Sequence, residues 1–299
     1  MCGIVGIFLK EESLNADLGE LLAPMMLSMS ERGPDSAGFA VYGKGADGRR
    51  KMTLHSSGDA SLENIAADIA LGTGCAVTAT IRANHCVVAV ADADVDRTIV
   101  WLSEMRPELN ITSIGRSIEI YKDTGLPREV CDRFGLRAMH GTHAIGHTRM
   151  ATESAVTTDG AHPFSTGPDQ CLVHNGSLSN HNSLRRSLVH DGLHFRTEND
   201  SEVAAAYLSW RMRQGLNLGE ALEAALADLD GFYTFVVGTE TGFGVLRDPV
   251  ACKPAVMAET DAYVAFGSEY RALAALPGIE RARVWEPDPA TVYFWERAA

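Results

Sequence analysis

The sequence contains no hydrophobic run approaching the ~18 residues of a membrane-spanning helix, no cysteines spaced C-x-x-C and no basic run extensive enough to select a polyanion. Each absence excludes a class. With neither an apolar span nor the basic start and apolar core of a leader peptide, the cytoplasm is the expected compartment and no membrane is expected as a partner. The six cysteines, Cys2, Cys75, Cys86, Cys131, Cys171 and Cys252, are scattered. That argues against a zinc ribbon or a disulfide framework and leaves most of them as small buried apolar residues. The formal charge of −13 argues against nucleic acid as a partner, because polyanions select clustered cations. Internal repeats, low-complexity tracts and flexible linkers are also lacking. What is present is ordinary globular material, 299 residues of which 45% are hydrophobic and 22% charged, enough for one large domain or two small ones.

The chain opens Met1-Cys2-Gly3-Ile4-Val5-Gly6. Methionine before a small residue is normally trimmed, so the mature chain is expected to begin at Cys2, with a thiol and an α-amino group on one residue. An amine of reference pKa about 8 is a suitable internal base for a thiol near neutral pH. Gly3 to Leu9 reads as a buried strand. Leu18, Leu21, Leu22, Met25, Met26 and Met29 mark one face of a helix, and Pro24 predicts a break and a fresh start inside it. Ser30 to Gly38 forms a turn containing Arg32 and Asp35, which can pair with each other or orient the chain terminus, and Phe39 to Tyr42 follows as a strand.

Between Gly43 and Met139 the pattern is structural. A glycine-rich loop to Arg50 precedes a strand at Met52–Ser56 and a helix from Ala60 to Leu71 that ends at Gly72. A strand at His85–Ala91, a helix at Asp92–Met105 and a strand at Ile114–Tyr121 form a β-α-β unit, and a helix over Pro127–Met139 completes the segment. The region at about 60–140 reads as an accessory insertion in one domain.

Polar, chemically useful residues return at His143 to Ser154 and at Ala161-His162-Pro163. His140, His143 and His147 have helical metal-ligand spacing, but Gly141 and Gly146 disfavour a helix and no further ligand completes a site. A strand ending at Arg149 is the better reading, and its planar guanidinium suits a carboxylate, with a surface ion pair as the alternative. At Cys171 to Asn180 an apolar strand stops at Asn175-Gly176, and a helix starts from Ser177 or Ser179 with Leu184 and Leu188 inside. An Asn amide beside a Gly N–H is a good donor pair for an oxyanion, although Asn-Gly is also a common hairpin turn. Asp200 or Ser201 can cap a helix over Val203–Gln214, and a carboxylate there can also bind an ammonium.

The order of these segments is more specific than any one of them. Cys2-Gly3-Ile4-Val5-Gly6, Arg32-Gly33-Pro34-Asp35-Ser36, His147-Thr148-Arg149, Ala161-His162-Pro163, His174-Asn175-Gly176 and Glu198-Asn199-Asp200-Ser201-Glu202-Val203 together resemble the class II glutamine amidotransferases. Their glutaminase domain belongs to the N-terminal-nucleophile hydrolases. The likeness continues through Gly231–Val237, Leu246-Arg247-Asp248-Pro249, Phe266-Gly267-Ser268-Glu269 and the ending Glu286–Trp295, which is similar to the close of this domain in glutamate synthases. The resemblance implies an α+β, four-layer αββα fold over residues 1–299, with the insertion added as a βαβ unit. It implies Cys2 as nucleophile with its amine as base, Asn175 and Gly176 as oxyanion hole, and Arg149 and Asp200 as holders of the glutamine carboxylate and ammonium. Thr152 would assist with the carboxylate, and Arg32, Asp35 and His162 would support the site. Met150 and Glu153 replace the tryptophan and histidine of the sugar-phosphate members.

Family members normally continue into a synthase domain, whereas this sequence stops where the glutaminase domain ends. The resemblance is therefore to the stand-alone amidotransferase subunits of glutamate-synthase-like complexes, N-methylglutamate synthase among them. It implies a hetero-oligomer in which a separate synthase subunit receives ammonia, with no cofactor or metal in this chain and with FMN and an iron–sulfur cluster in the partners. A catalytically idle subunit that has kept the fold is the alternative.

Overall fold

A computed structural model describes residues 2–45, 47–56, 58, 60–151 and 155–297. With strands and helices numbered in chain order, a seven-stranded sheet runs β15 (Arg283–Trp285), β13 (Val256–Glu259), β14 (Tyr263–Gly267), β1 (Gly3–Leu9), β8 (His143–Arg149), β2 (Ser36–Tyr42) and β7 (Ile118–Thr124). A five-stranded sheet runs β16 (Thr291–Glu296), β12 (Gly242–Arg247), β11 (Gly231–Gly238), β10 (Gln170–Leu178) and β9 (Phe164–Gly167). Every pairing in both sheets is antiparallel.

Period-two alternation in the strands builds the layers. On β1, Ile4 and Phe8 point between the sheets, where they meet Val173, Val236, Phe243 and Val245. Val5, Ile7 and Leu9 point the other way, onto Leu18, Leu22, Met25 and Met26 of α1 (Leu18–Ser28) and Val130 and Phe134 of α4 (Pro127–Phe134). The far face of the five-stranded sheet carries α5 (His181–His190), α6 (Asp200–Arg213) and α7 (Leu218–Asp228), through Leu188, Val203, Tyr207 and Leu222. Helix, sheet, sheet, helix is the expected four-layer α+β order.

Several boundaries differ from the sequence expectation. Pro24 does not restart the helix, because α1 runs unbroken with Pro24 inside it. The missing N–H and ring clash cost about 3 kcal/mol. Full burial of Leu18, Leu22, Met25 and Met26 contributes about 1.5–3 kcal/mol per side chain and outweighs it. Strand β10 continues through Asn175-Gly176 to Leu178 instead of stopping there, and Asn180 rather than a serine precedes α5. Helix α6 starts at Asp200, capped by Asn199, whose Oδ1 accepts from Ser201 N at 2.9 Å.

The insertion is also differently bounded and differently built than the expected βαβ unit at about 60–140. Strands β4 (Thr78–Arg82), β5 (His85–Ala91), β3 (Arg49–Ser56) and β6 (Leu109–Gly115) form a third antiparallel sheet in that order. Helices α2 (Ile65–Thr73) and α3 (Val95–Met105) cover it, and Leu54, Val88, Ile65, Ile69 and Leu102 form its own small core. Helix α2 runs past Gly72, where the Trp101 indole packs so closely that a Cβ would lie 1.9 Å from its Nε1, and ends at Gly74. The expected single strand at 114–121 is two strands, with β6 turning into β7. The Asp169 carboxylate makes that turn by accepting from the N–H groups of Arg116, Ser117 and Ile118. Strand β7 and helix α4 belong to the main layers, so the accessory unit spans 49–115.

The two main sheets pack closely at Gly6, where a Cβ would lie 2.9 Å from the Phe243 ring and 3.2 Å from Val236 Cγ1. Gly6→Val is expected to destabilise the fold by about 1–3 kcal/mol through overpacking, read as a lower urea midpoint with an unchanged slope.

Candidate active site

Strand register assembles the site. Gly3 pairs with Thr148 and Ser36 pairs with Arg149, so continuing both ladders by one residue brings Cys2, Arg149 and Asp35 to one edge of the seven-stranded sheet, the one formed by the ends of its interior strands. Val5 pairs with Gly267, which places Ser268 and Glu269 at the same edge. The five-stranded sheet contributes Asn175 and Gly176 from β10, and the first turn of α6 contributes Asp200. Cys2, Arg32, Arg149, His162, Asn175, Gly176 and Asp200 all line one cavity of about 1000 Å³.

Arg32 and Asp35 do not pair with each other. Arg32 donates from Nε to the Cys2 carbonyl at 2.9 Å and forms an ion pair with Glu269. Asp35 accepts from Ala151 N at 2.8 Å and donates its own N–H to Arg149 O at 3.0 Å. One therefore holds the strand carrying the thiol and the other holds the strand end carrying Arg149. Thr152 and Glu153 lie outside the described residues.

The Cys2 thiol lies against the backbone of Met150, whose N–H is 3.5 Å from Sγ. Burial pushes its pKa up, but the adjacent His147 ring and the Met150 N–H pull it down further, leaving it at about 7 against an ordinary 9.0. The thiolate is therefore accessible near neutral pH. Cys86, Cys131 and Cys171 go the other way, pushed by burial to about 11, 12 and 12.

The Asn175 amide is fixed from both ends. His147 Nε2 lies 3.1 Å from its Oδ1, and its Nδ2 donates to the Cys2 carbonyl and to Ser268 Oγ, each at 3.3 Å. Ser268 Oγ also accepts from Ile4 N at 2.8 Å, tying this edge to β1. Gly176 has φ +144°, and a Cβ there would lie 2.0 Å from Phe232 O. The position requires glycine for conformation and for space alike.

Behind this edge lies a buried polar network. The His162 ring stacks on His147 at 4.1 Å, and His162 Nε2 and His174 Nδ1 each lie 2.9 Å from Ser201 Oγ. Burial lowers the pKa of His162 far below the usual value, and lowers that of His174 to about 4 despite the opposing pull of Asp200. Both rings are neutral at physiological pH. Asp200 accepts from Leu178 N at 2.9 Å through Oδ2, so its position depends on β10 continuing beyond Gly176. The roles of His147, Ser201, Ser268 and Glu269 were not read from the sequence, although each stands in a quoted motif.

The histidines with metal-like spacing do not share a site. His140 bonds to Ala16 O, His143 bonds to Thr239 O and stacks on Tyr42, and His147 faces Asn175. Among the described residues, no group of three or more His, Cys, Asp or Glu side chains is placed to hold a metal. No described helix is long and apolar enough to cross a membrane.

The accessory sheet forms part of the cavity's support. Asn110 on β6 donates to Asp159, and Arg196 donates to Ile111 O on the same strand at 2.6 Å. Asp159 and Arg196 both line the cavity. Lys122 on β7 is buried and donates to the carbonyls of Asp159, Ala161 and Pro163, which pins the loop that carries His162.

A cysteine at the tip of one of two facing antiparallel sheets, with an amide donor on the other, defines an N-terminal-nucleophile amidotransferase architecture. Residues 147–275 match the model of a glutamine amidotransferase domain. The chain is 59% identical to the glutamine amidotransferase-like protein GlxB of Rhizobium meliloti, over 99% of this chain and 98% of that one. It is 33% identical to a putative glutamine amidotransferase of Methanothermobacter thermautotrophicus, over 98% and 99%. Its fold is shared with the glutamine phosphoribosylpyrophosphate amidotransferase of B. subtilis, with a TM-score of 0.62 at 20% identity, covering 99% of this chain and 47% of that one. The chain belongs to the class II glutamine amidotransferase family.

The thiol environment has a direct readout. Iodoacetamide labelling of Cys2, followed by peptide mass spectrometry, is expected to accelerate through a midpoint near pH 7, and His147→Gln is expected to move that midpoint upward. Cys86, Cys131 and Cys171 stay unlabelled over the same range.

Proposed function

We propose that this chain is the glutaminase component of a synthase complex, hydrolysing the side-chain amide of glutamine and delivering ammonia to a separate subunit. The observation that carries this reading is the single cavity shared by Cys2, Arg149, Asn175, Gly176 and Asp200. Arg149 and Asp200 present a cation and an anion to the carboxylate and ammonium of a free amino acid, which selects glutamine over a peptide-bound glutaminyl side chain. The Cys2 thiolate attacks the amide carbon, and the carbonyl oxygen becomes an oxyanion at the Gly176 N–H and at Asn175 Nδ2, which turns to it an N–H that bonds the Cys2 carbonyl at rest. Each such donor contributes roughly 3 kcal/mol to the transition state. The Cys2 α-amino group, freed by loss of Met1, takes the thiol proton and returns it to the leaving nitrogen. Ammonia departs and a glutamyl thioester remains. Water, deprotonated by the same amine, then releases glutamate and restores the thiol.

GlxB and the Methanothermobacter protein align over 98% and 99% of their own lengths, so neither has room for an attached synthase domain. That supports ammonia being consumed on another polypeptide, of glutamate-synthase or N-methylglutamate-synthase type, in a cytoplasmic hetero-oligomer. Flavin and iron–sulfur chemistry would then reside in the partner. Within this chain, residues 49–115 are an accessory unit to one amidotransferase domain.

Purified protein, alone and with its partners, should convert glutamine to glutamate and ammonia. Cys2→Ala, or a preparation that retains Met1, is expected to be inactive, and full activity in either contradicts the mechanism. Silence even in the complex would favour an idle subunit. Asn175→Ala is expected to lower kcat by about 100- to 1000-fold. Arg149→Lys and Asp200→Asn are expected to act chiefly on KM, by about tenfold or more, because they remove ground-state binding.

A further inference from the structure

A second cavity, of about 700 Å³, lies between α3, β6 and β9. Its volume is typical of a small-molecule site, in the range of about 300–1000 Å³. Ile99, Leu102 and Ile114 contribute an apolar lining, and Arg50, Arg196 and Arg213 line it as well. Asp96 is the one carboxylate among the described lining residues. Three guanidiniums against one carboxylate is a local reversal in a chain of formal charge −13.

Of the three arginines, only Arg50 is in a salt bridge among the described residues. Arg196 donates to Ile111 O and Arg213 to Thr166 O, and neither forms an ion pair among the described residues. Arg50 lies 3.5 Å from Asp92. Arg196 and Arg213 are both exposed beside the apolar wall, so their guanidiniums are open to an anion entering the cleft. Guanidinium groups match carboxylate, sulfonate or phosphate oxygens with paired N–H donors.

We propose that this cleft binds a small amphipathic anion, its acidic head held by Arg196 and Arg213 and its aromatic or aliphatic body against Ile99, Leu102 and Ile114. The site is separate from the glutamine cavity except at Arg196, which lines both. The proposal rests on the cleft alone and stands whether or not the glutaminase reading does.

The test is a fluorescence titration of the full chain with 8-anilinonaphthalene-1-sulfonate, beside N-phenyl-1-naphthylamine, which has the same rings without the sulfonate. The sulfonate should saturate at one site and bind at least about tenfold tighter than the neutral probe, a difference of 1.4 kcal/mol. Arg213→Glu should erase that preference, Arg213→Gln should reduce it, and Ile99→Glu should weaken both probes, all with an unchanged circular dichroism spectrum. Excess glutamine should displace neither probe. Non-saturating binding, equal affinity for the two probes, an unchanged preference in Arg213→Glu or displacement by glutamine would each overturn the assignment.

Discussion

The antiparallel seating of β1 between β8 and β14 is the constraint on which the rest depends. It delivers Cys2 to Arg149 on one side and to Ser268 and Glu269 on the other. Both faces of β1 are buried, Ile4 and Phe8 in one core and Val5, Ile7 and Leu9 in another. A slip of one residue would exchange these faces and move the thiol away from its partners. Hydrogen bonds at the strand's start then hold what the ladder has aligned, with Arg32 on the Cys2 carbonyl and Ser268 Oγ on Ile4 N.

The second sheet reaches this edge through the Asn175 amide, which His147 holds at its Oδ1. The ring orients the amide so that its N–H groups face the Cys2 carbonyl and Ser268, and the same ring lowers the pKa of the thiol. The neutral, buried His162 and His174 share Ser201 behind it. This network costs desolvation that a purely apolar core would avoid, and its return is a rigid arrangement of donors before substrate arrives. The accessory sheet takes part as well. Through Asn110 and Ile111 it grips Asp159 and Arg196, which belong to the cavity wall.

The αββα layering was legible through the resemblance that the ordered motifs carry, and the apolar periods of β1 and α1 marked individual elements within it. The cavity residues Cys2, Arg149, Asn175, Gly176 and Asp200 were legible as an ordered set of motifs. The extent of the insertion was not, because Asp169 splits the expected strand at 114–121 from more than fifty positions away. The unbroken α1 was missed for a related reason. Pro24 is a strong local signal, and tertiary burial of the methionines on that helix outweighs it.

By itself the sequence determined which atoms are available: a terminal thiol that also carries the amine, a guanidinium at a strand end, an amide beside a glycine, and a carboxylate at a helix start. These follow from residue type and short-range turn chemistry. Only the tertiary structure decided that β10 runs on past Gly176 so that Leu178 N can hold Asp200, and that Arg32 and Asp35 face different partners. It also decided that His147 stands between the thiol and the amide. Those outcomes depend on pairing register and on contacts between residues far apart in the chain, and register is set by how whole faces bury, not by any local spacing.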